Sequence, residues 1–277
     1  MHSAARWTAV LRPAVRRARR LVVFPHAGGA PRRYTGLVAE LPGDVEVIGV
    51  TLPGREHRSG LPPRTSVREA VGEIAGELAV LEPLPSVFYG HSMGALLAVA
   101  SAHETPGRCH GLVASCSPPG RTARPGGGRA ASSRELAAVF AAHRLPGDAL
   151  DNGALTAAQR VLAHDLRLAY GLSAAVEALC LSVPLTAVAG RSDHLVAPEL
   201  LPGWRQFTSG QFRSHLTEGG HFLPFTPYGG EAVRAELRTA LAAARSTRTP
   251  AAGSAAPVRP RATAGAAPGA RPARRPR

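Results

Sequence analysis

A chain of 277 residues with 44% hydrophobic side chains is long enough to bury one sizeable core. Its formal net charge of +14 suggests a polyanion partner, but residues 1–20 hold six Arg and residues 246–277 hold seven, with no acid in either stretch. Without those 13 charges, 20 Arg face 19 acids, so the body is nearly neutral and no specific nucleic-acid partner is expected.

Taken in order, residues 1–20 read as a basic N-terminal flank followed by only a short apolar stretch, 21–24. That stretch is too short for the apolar region of a signal peptide, and no run approaches the ~18–20 residues of a membrane span. A cytoplasmic protein with no membrane partner is expected. From residue 21 the chain alternates apolar runs with helical patterns, as an α/β fold with a mostly parallel sheet flanked by helices does. Strands are predicted over 21–25, 45–52, 87–89, 112–116, 185–190 and 212–216. Their nearly unbroken hydrophobicity suits strands covered on both faces.

Val67, Ala70, Val71, Ile74, Leu78 and Leu81 recur at three- to four-residue spacing and predict a helix. A second helix is predicted from Ser92 through Leu96, Leu97 and Val99, and a closing one over about 230–245. Between about 132 and 181 the alternation breaks into two or three helical patterns without a strand, the form of a helical lid inserted into a sheet domain. The domain so predicted covers 21–245. The tail from 246 to 277 is almost wholly Ala, Pro, Arg, Gly, Ser and Thr and is read as a disordered extension. The three cysteines, Cys109, Cys116 and Cys180, are odd in number, lack metal-type spacing and read as small, partly buried side chains.

The chemistry centres on Gly90-His91-Ser92-Met93-Gly94, a Gly-x-Ser-x-Gly sequence placed between a predicted strand and a predicted helix. In that setting the chain turns sharply and lifts the serine oxygen above the sheet, the nucleophile elbow of an α/β-hydrolase fold. The backbone N–H of Met93 is one expected oxyanion donor. The second, Ala27, lies in Phe24-Pro25-His26-Ala27-Gly28-Gly29, a glycine-rich loop after the first predicted strand.

In this fold the acid follows the nucleophile and the histidine comes last. Asp193, just past the predicted strand 185–190, is the candidate acid; Asp148, Asp151 and Asp165 compete from the lid interval. His221, in Gly219-Gly220-His221-Phe222 after the last strand, is the candidate base. His194 lies too close to Asp193 in sequence to partner it, His215 alternates within a strand and reads as structural, and His26 lines the oxyanion loop. This chemistry requires no metal and no organic cofactor.

These segments together resemble the type II thioesterases, stand-alone editing hydrolases associated with polyketide synthases and nonribosomal peptide synthetases. The matching stretches are 24–29 with Tyr34, Leu52-Pro53-Gly54-Arg55-Glu56, 90–95, 190–196, Trp204 and 219–222, with Trp7 and Pro13 near the start. The resemblance spans roughly residues 6–242. It implies Ser92, Asp193 and His221 as a triad, Ala27 and Met93 as oxyanion donors, and a monomer acting on acyl or peptidyl carrier proteins that present thioesters on a phosphopantetheine arm. Asp165-Leu166-Arg167-Leu168-Ala169 also resembles a stretch of the family lid, whereas Leu145-Pro146-Gly147-Asp148 departs from the element expected there. A lipase or carboxylesterase would use the same triad, and acyl transfer to an alcohol or amine would use the same intermediate. A binding scaffold acting through the Arg-rich flanks is the reading from outside enzymology.

Overall fold

A computed structural model describes residues 6–120 and 152–246. Within them seven strands form one sheet: β1 (Thr8–Arg12), β2 (Arg19–Phe24), β3 (Val45–Val50), β4 (Ser86–His91), β5 (Gly111–Ser115), β6 (Leu185–Gly190) and β7 (Phe212–Thr217). Their order is β1-β3-β2-β4-β5-β6-β7, with β1 antiparallel to β3 and every other neighbouring pair parallel. The mostly parallel sheet expected from the apolar runs is therefore present.

The unbroken hydrophobicity of the central strands has a direct cause, since side chains alternate between two covered faces. Val22, Phe24, Phe88, Leu112 and Ala114 join one core with α2 (Val67–Val80), α3 (Met93–Glu104) and α4 (Asn152–Ala175). Leu21, Val23, Val87, Tyr89 and Val113 join the other with α1 (Thr35–Val38) and α5 (Pro227–Ser246). Ser66 opens α2 with a capping box: its hydroxyl accepts from the Glu69 N–H at 3.1 Å, and the Glu69 carboxylate accepts from the Ser66 N–H. The strand β7 lies at the sheet edge and is only partly covered, which accounts for its mixed sequence Phe-Arg-Ser-His-Leu-Thr.

The expected boundary at residue 21 is corrected at its N-terminal side. Residues 8–12 form an edge strand, and Arg19 and Arg20 begin β2. Glu77 on α2 fastens β1 by accepting from the N–H of Trp7 (2.7 Å), the N–H of Thr8 (2.9 Å) and the Thr8 hydroxyl (2.6 Å). Four of the six flank arginines serve the fold. Arg12 donates to the carbonyls of Ala39, Leu41, Pro42 and Val45, Arg17 pairs with Glu46 and Glu82, Arg19 with Asp44 and Arg20 with Glu46. The charge run concealed a half-exposed strand that lacks the continuous apolar signature of the others.

Of the helical interval 132–181, the part up to 151 lies outside the described residues, together with Asp148, Asp151 and the tail beyond 246. The remainder is dominated by a single helix, α4, of 24 residues. It packs against α3 and α2. Among the described residues no helix is long and apolar enough to cross a membrane. Cys109 and Cys116 are buried, whereas Cys180, expected to be partly buried, is exposed.

Arg20 and Glu46 form an ion pair of 2.8 Å with both side chains nearly inaccessible. Removing one partner of a buried pair leaves an uncompensated charge. Glu46→Ala should therefore lower the unfolding free energy by about 3 kcal/mol, read as a lower urea midpoint at unchanged slope.

Candidate active site

The switch in strand order places the site. From β2 the chain runs to β3 on one side and later to β4 on the other, and such a reversal opens a crevice at the carboxyl ends of the strands. Phe24 pairs with Gly90, so the loop after β2 and the turn after β4 leave the sheet side by side. Asp193 and His221 follow β6 and β7, whose carboxyl ends lie along the same edge.

Ser92 occupies the turn between β4 and α3 with φ 55° and ψ −124°, a conformation that non-glycine residues rarely adopt. Its N–H donates to the Ser115 carbonyl at 2.8 Å, which ties the strained residue to β5. The two glycines of the motif have separate steric reasons. A Cβ on Gly94 would lie 2.0 Å from the Phe24 carbonyl oxygen, and one on Gly90 would lie 2.3 Å from the Ala95 Cα. Met93 is the first residue of α3, so its N–H belongs to the first-turn donors that have no intrahelical acceptor.

The structure brings the three side chains proposed from the sequence into one hydrogen-bonded line. His221 Nε2 lies 3.0 Å from Ser92 Oγ, and His221 Nδ1 lies 2.9 Å from Asp193 Oδ2. The N–H groups of Leu195 and Val196 both donate to Asp193 Oδ1 at 2.9 Å, orienting a carboxylate whose side chain is fully buried. With Nδ1 donating to that carboxylate, neutral His221 offers Nε2 to accept the Ser92 hydroxyl proton.

The loop after β2 has two of its amides already engaged. The Gly28 N–H donates to Asp165 Oδ2 at 2.7 Å and the Gly29 N–H to the His26 carbonyl at 2.9 Å. Ala27 lies between them in the chain and His26, and Gly28 turns the backbone there with φ 75°. Ala27 is itself buried and Met93 opens α3, so the two backbone groups expected as donors belong to different elements.

Sequence reasoning assigned no role to His91, the variable position of the elbow. It is fully buried, with Nδ1 3.0 Å from the Tyr34 hydroxyl and Nε2 2.9 Å from the His221 carbonyl. A carbonyl can only accept, so Nε2 carries a proton, and in the neutral imidazole Nδ1 accepts from Tyr34. Tyr34 in turn accepts from the His26 N–H at 3.2 Å. Burial, and then the neighbouring Tyr89, raise the Tyr34 pKa well above its ordinary value, so the donor stays protonated. This chain of hydrogen bonds joins the loop after β2, the elbow and the main chain of His221.

Cys116, read from the sequence as a small, partly buried side chain, directly follows β5 and is buried. Burial pushes its thiol well above the ordinary range, and the charge of nearby Asp193 adds to the shift, so it remains protonated beside the carboxylate. Asp165, a competing acid on sequence grounds, instead pairs with Arg55 through both guanidinium Nη atoms, at 2.7 and 2.8 Å. Exposed His194 stands apart from the line, and His215 pairs with Glu236 at 3.1 Å on β7. No group of three or more metal-ligating side chains occurs among the described residues.

The thioesterase domain family model matches residues 19–239. The chain belongs to the thioesterase family. A relative named a probable cadicidin biosynthesis thioesterase, from Streptomyces griseus, is 33% identical to this thioesterase over 86% of this chain and 67% of its own length. The solved structure of RedJ, a thioesterase of the prodiginine pathway in Streptomyces coelicolor, superposes with a TM-score of 0.67 at 29% identity, covering 81% of this chain and 91% of RedJ. BorB, the type II thioesterase of the borrelidin cluster, superposes with a TM-score of 0.70 at 26% identity over 87% of this chain and 98% of its own. The resemblance to type II thioesterases is thereby borne out, and the thioesterase is a hydrolase of the α/β-hydrolase fold.

The close approach of Gly94 to β2 has a measurable consequence. Gly94→Ala in this thioesterase should lower the unfolding free energy by at least about 4 kcal/mol or abolish soluble expression. Gly72→Ala, on the open face of α2, should leave stability unchanged or raise it by up to about 1 kcal/mol. Parallel urea titrations of the two variants test the contrast.

Proposed function

We propose that this thioesterase hydrolyses acyl groups held as thioesters on the phosphopantetheine arm of a carrier protein, through an acyl-Ser92 intermediate. The observation that carries the reading is the line from buried Asp193 through His221 to Ser92 Oγ. The named biosynthetic roles of its relatives support a carrier-bound substrate, and an editing role in polyketide or nonribosomal peptide assembly follows from that likeness.

In this mechanism His221 Nε2 takes the Ser92 proton as Oγ attacks the thioester carbonyl carbon. The oxyanion accepts from the N–H groups of Ala27 and Met93, each worth about 3 kcal/mol of barrier. As the tetrahedral intermediate collapses the carbon–sulfur bond breaks, and the sulfur leaves as a thiol with the proton from His221. Water then gives a proton to His221 and attacks the acyl carbon. The second collapse returns that proton to Ser92 Oγ and releases the free acid. Asp193 holds His221 in the required tautomer throughout. In this reading the enzyme acts in the cytoplasm as a monomer, and α4 contributes to the lid.

The test is an intact-mass assay of acetyl- and propionyl-carrier proteins exposed to native and variant enzyme. Ser92→Ala should abolish turnover, a loss of about 10⁵-fold or more, and Asp193→Asn should reduce kcat by about 10⁴-fold. Turnover by Ser92→Ala equal to native would overturn the mechanism. A strong preference for simple esters over carrier thioesters would instead make the protein a carboxylesterase with the same triad.

A further inference from the structure

The Arg55–Asp165 pair lies outside the triad, yet it contacts the oxyanion loop from both sides. Asp165, in the middle of α4, has a fully buried side chain, and Arg55, in the loop after β3, is almost as inaccessible. Asp165 Oδ2 receives both the Gly28 N–H and Arg55 Nη1, each at 2.7 Å. The same Arg55 Nη1 donates to the Gly29 carbonyl at 2.9 Å, while Nη2 holds Asp165 Oδ1 at 2.8 Å. A donor and an acceptor of one loop, at successive residues, are thus gripped by one ion pair. Leu162, one turn earlier on α4, packs where a Cβ of Gly28 would make contact at 3.4 Å. The grip and the packing come from the same face of the same helix.

We infer that Arg55 and Asp165 are positioning residues that hold the Ala27 N–H in place for the oxyanion and make its placement depend on the seat of α4. This rests on the reading of Ala27 as an oxyanion donor. Three physical facts carry it. Gly28 has a backbone conformation that its own sequence does not enforce, since glycine populates many others. The peptide unit between Ala27 and Gly28 is restrained through the amide that Asp165 accepts. A buried, bidentate, charge-assisted pair is rigid, whereas a single neutral hydrogen bond to a glycine loop is not. A displacement of α4 by even one ångström would move the donor, and misplacement on that scale is enough to cost about 10²-fold in rate.

A purely structural role and a positioning role separate in one comparison. Asp165→Ala leaves Arg55 buried without its partner and lowers both stability and activity on either view. The double variant Arg55→Met/Asp165→Leu removes both charges for side chains of suitable bulk, and such replacements of buried pairs commonly preserve stability. It should keep the native urea midpoint while kcat on an acyl-carrier thioester falls about 10–100-fold and KM stays within about threefold. The inhibition constant of an alkyl trifluoromethyl ketone, whose Ser92 adduct carries an oxyanion, should rise by the same factor. Hydrogen exchange of the peptide spanning residues 25–30 should quicken about tenfold or more.

Recovery of native kcat and ketone affinity in the stable double variant would overturn the inference, as would unchanged exchange of that peptide. Should the double variant lose its fold, Arg55→Lys, which keeps the charge but lacks the fork, gives the same decision from the same kcat, KM and ketone measurements. Native-like turnover by Ser92→Ala marks failure of the catalytic reading itself. The exchange experiment still reports whether the pair restrains the loop.

Discussion

The backbone of the elbow lies against the end of β2 so closely that no side chain fits between them. Gly94 sits where a single methyl group would overlap the Phe24 carbonyl, and Gly90 has no more room against Ala95. This contact allows α3 to begin immediately after β4 and to run back over the sheet as a wholly buried helix from Met93 to Ala102. It also holds Ser92 in a backbone conformation that a free chain would leave. The loop after β2 begins where Phe24 ends, so the distance between Ser92 and that loop is set by the same contact. Every other part of the site is arranged around that fixed pair of chain segments.

Two kinds of hydrogen-bond network meet there, and they have different electrostatic characters. The chain from His26 through Tyr34 and His91 to the His221 carbonyl is buried and contains no carboxylate or guanidinium. It restrains the backbone of the loop after β2 and of His221 through hydrogen bonds alone. The pair of Asp193 and His221 is the one that gains from charge, because an imidazolium beside a buried carboxylate is stabilised where water is scarce. Cys116, kept as a thiol by burial and by Asp193, adds no competing anion to that environment.

Two further pairs of buried charges meet the condition under which a folded chain tolerates them, whereas buried Arg58 lies over the Trp7 ring, 3.8 Å from its centroid. Arg20 and Glu46 bind β2 to β3, and Arg55 and Asp165 bind the loop after β3 to α4. Buried ion pairs add little net stability compared with apolar packing, but they have direction and reach that apolar contacts lack. In this chain the second pair spans three separate segments with one guanidinium and one carboxylate.

The sequence by itself determined the periodic parts. Alternation across two covered faces made β2 to β6 legible, three- to four-residue spacing marked α2, and the glycines around Ser92 marked the elbow because their reason is local and steric. Asp193 and His221 were legible because each follows a strand whose carboxyl end must lie at the edge bearing the elbow. β1 was not legible, since an antiparallel edge strand fastened by a carboxylate 70 residues away carries no apolar signature of its own. The same limit hid His91, Tyr34 and the partnership of Arg55 with Asp165, which lie 57 and 110 residues apart. Spacing along the chain carries information only where neighbours in sequence are neighbours in space. Which buried polar groups would find one another was decided by tertiary packing, because a buried donor or acceptor must be satisfied by whatever the fold brings within reach.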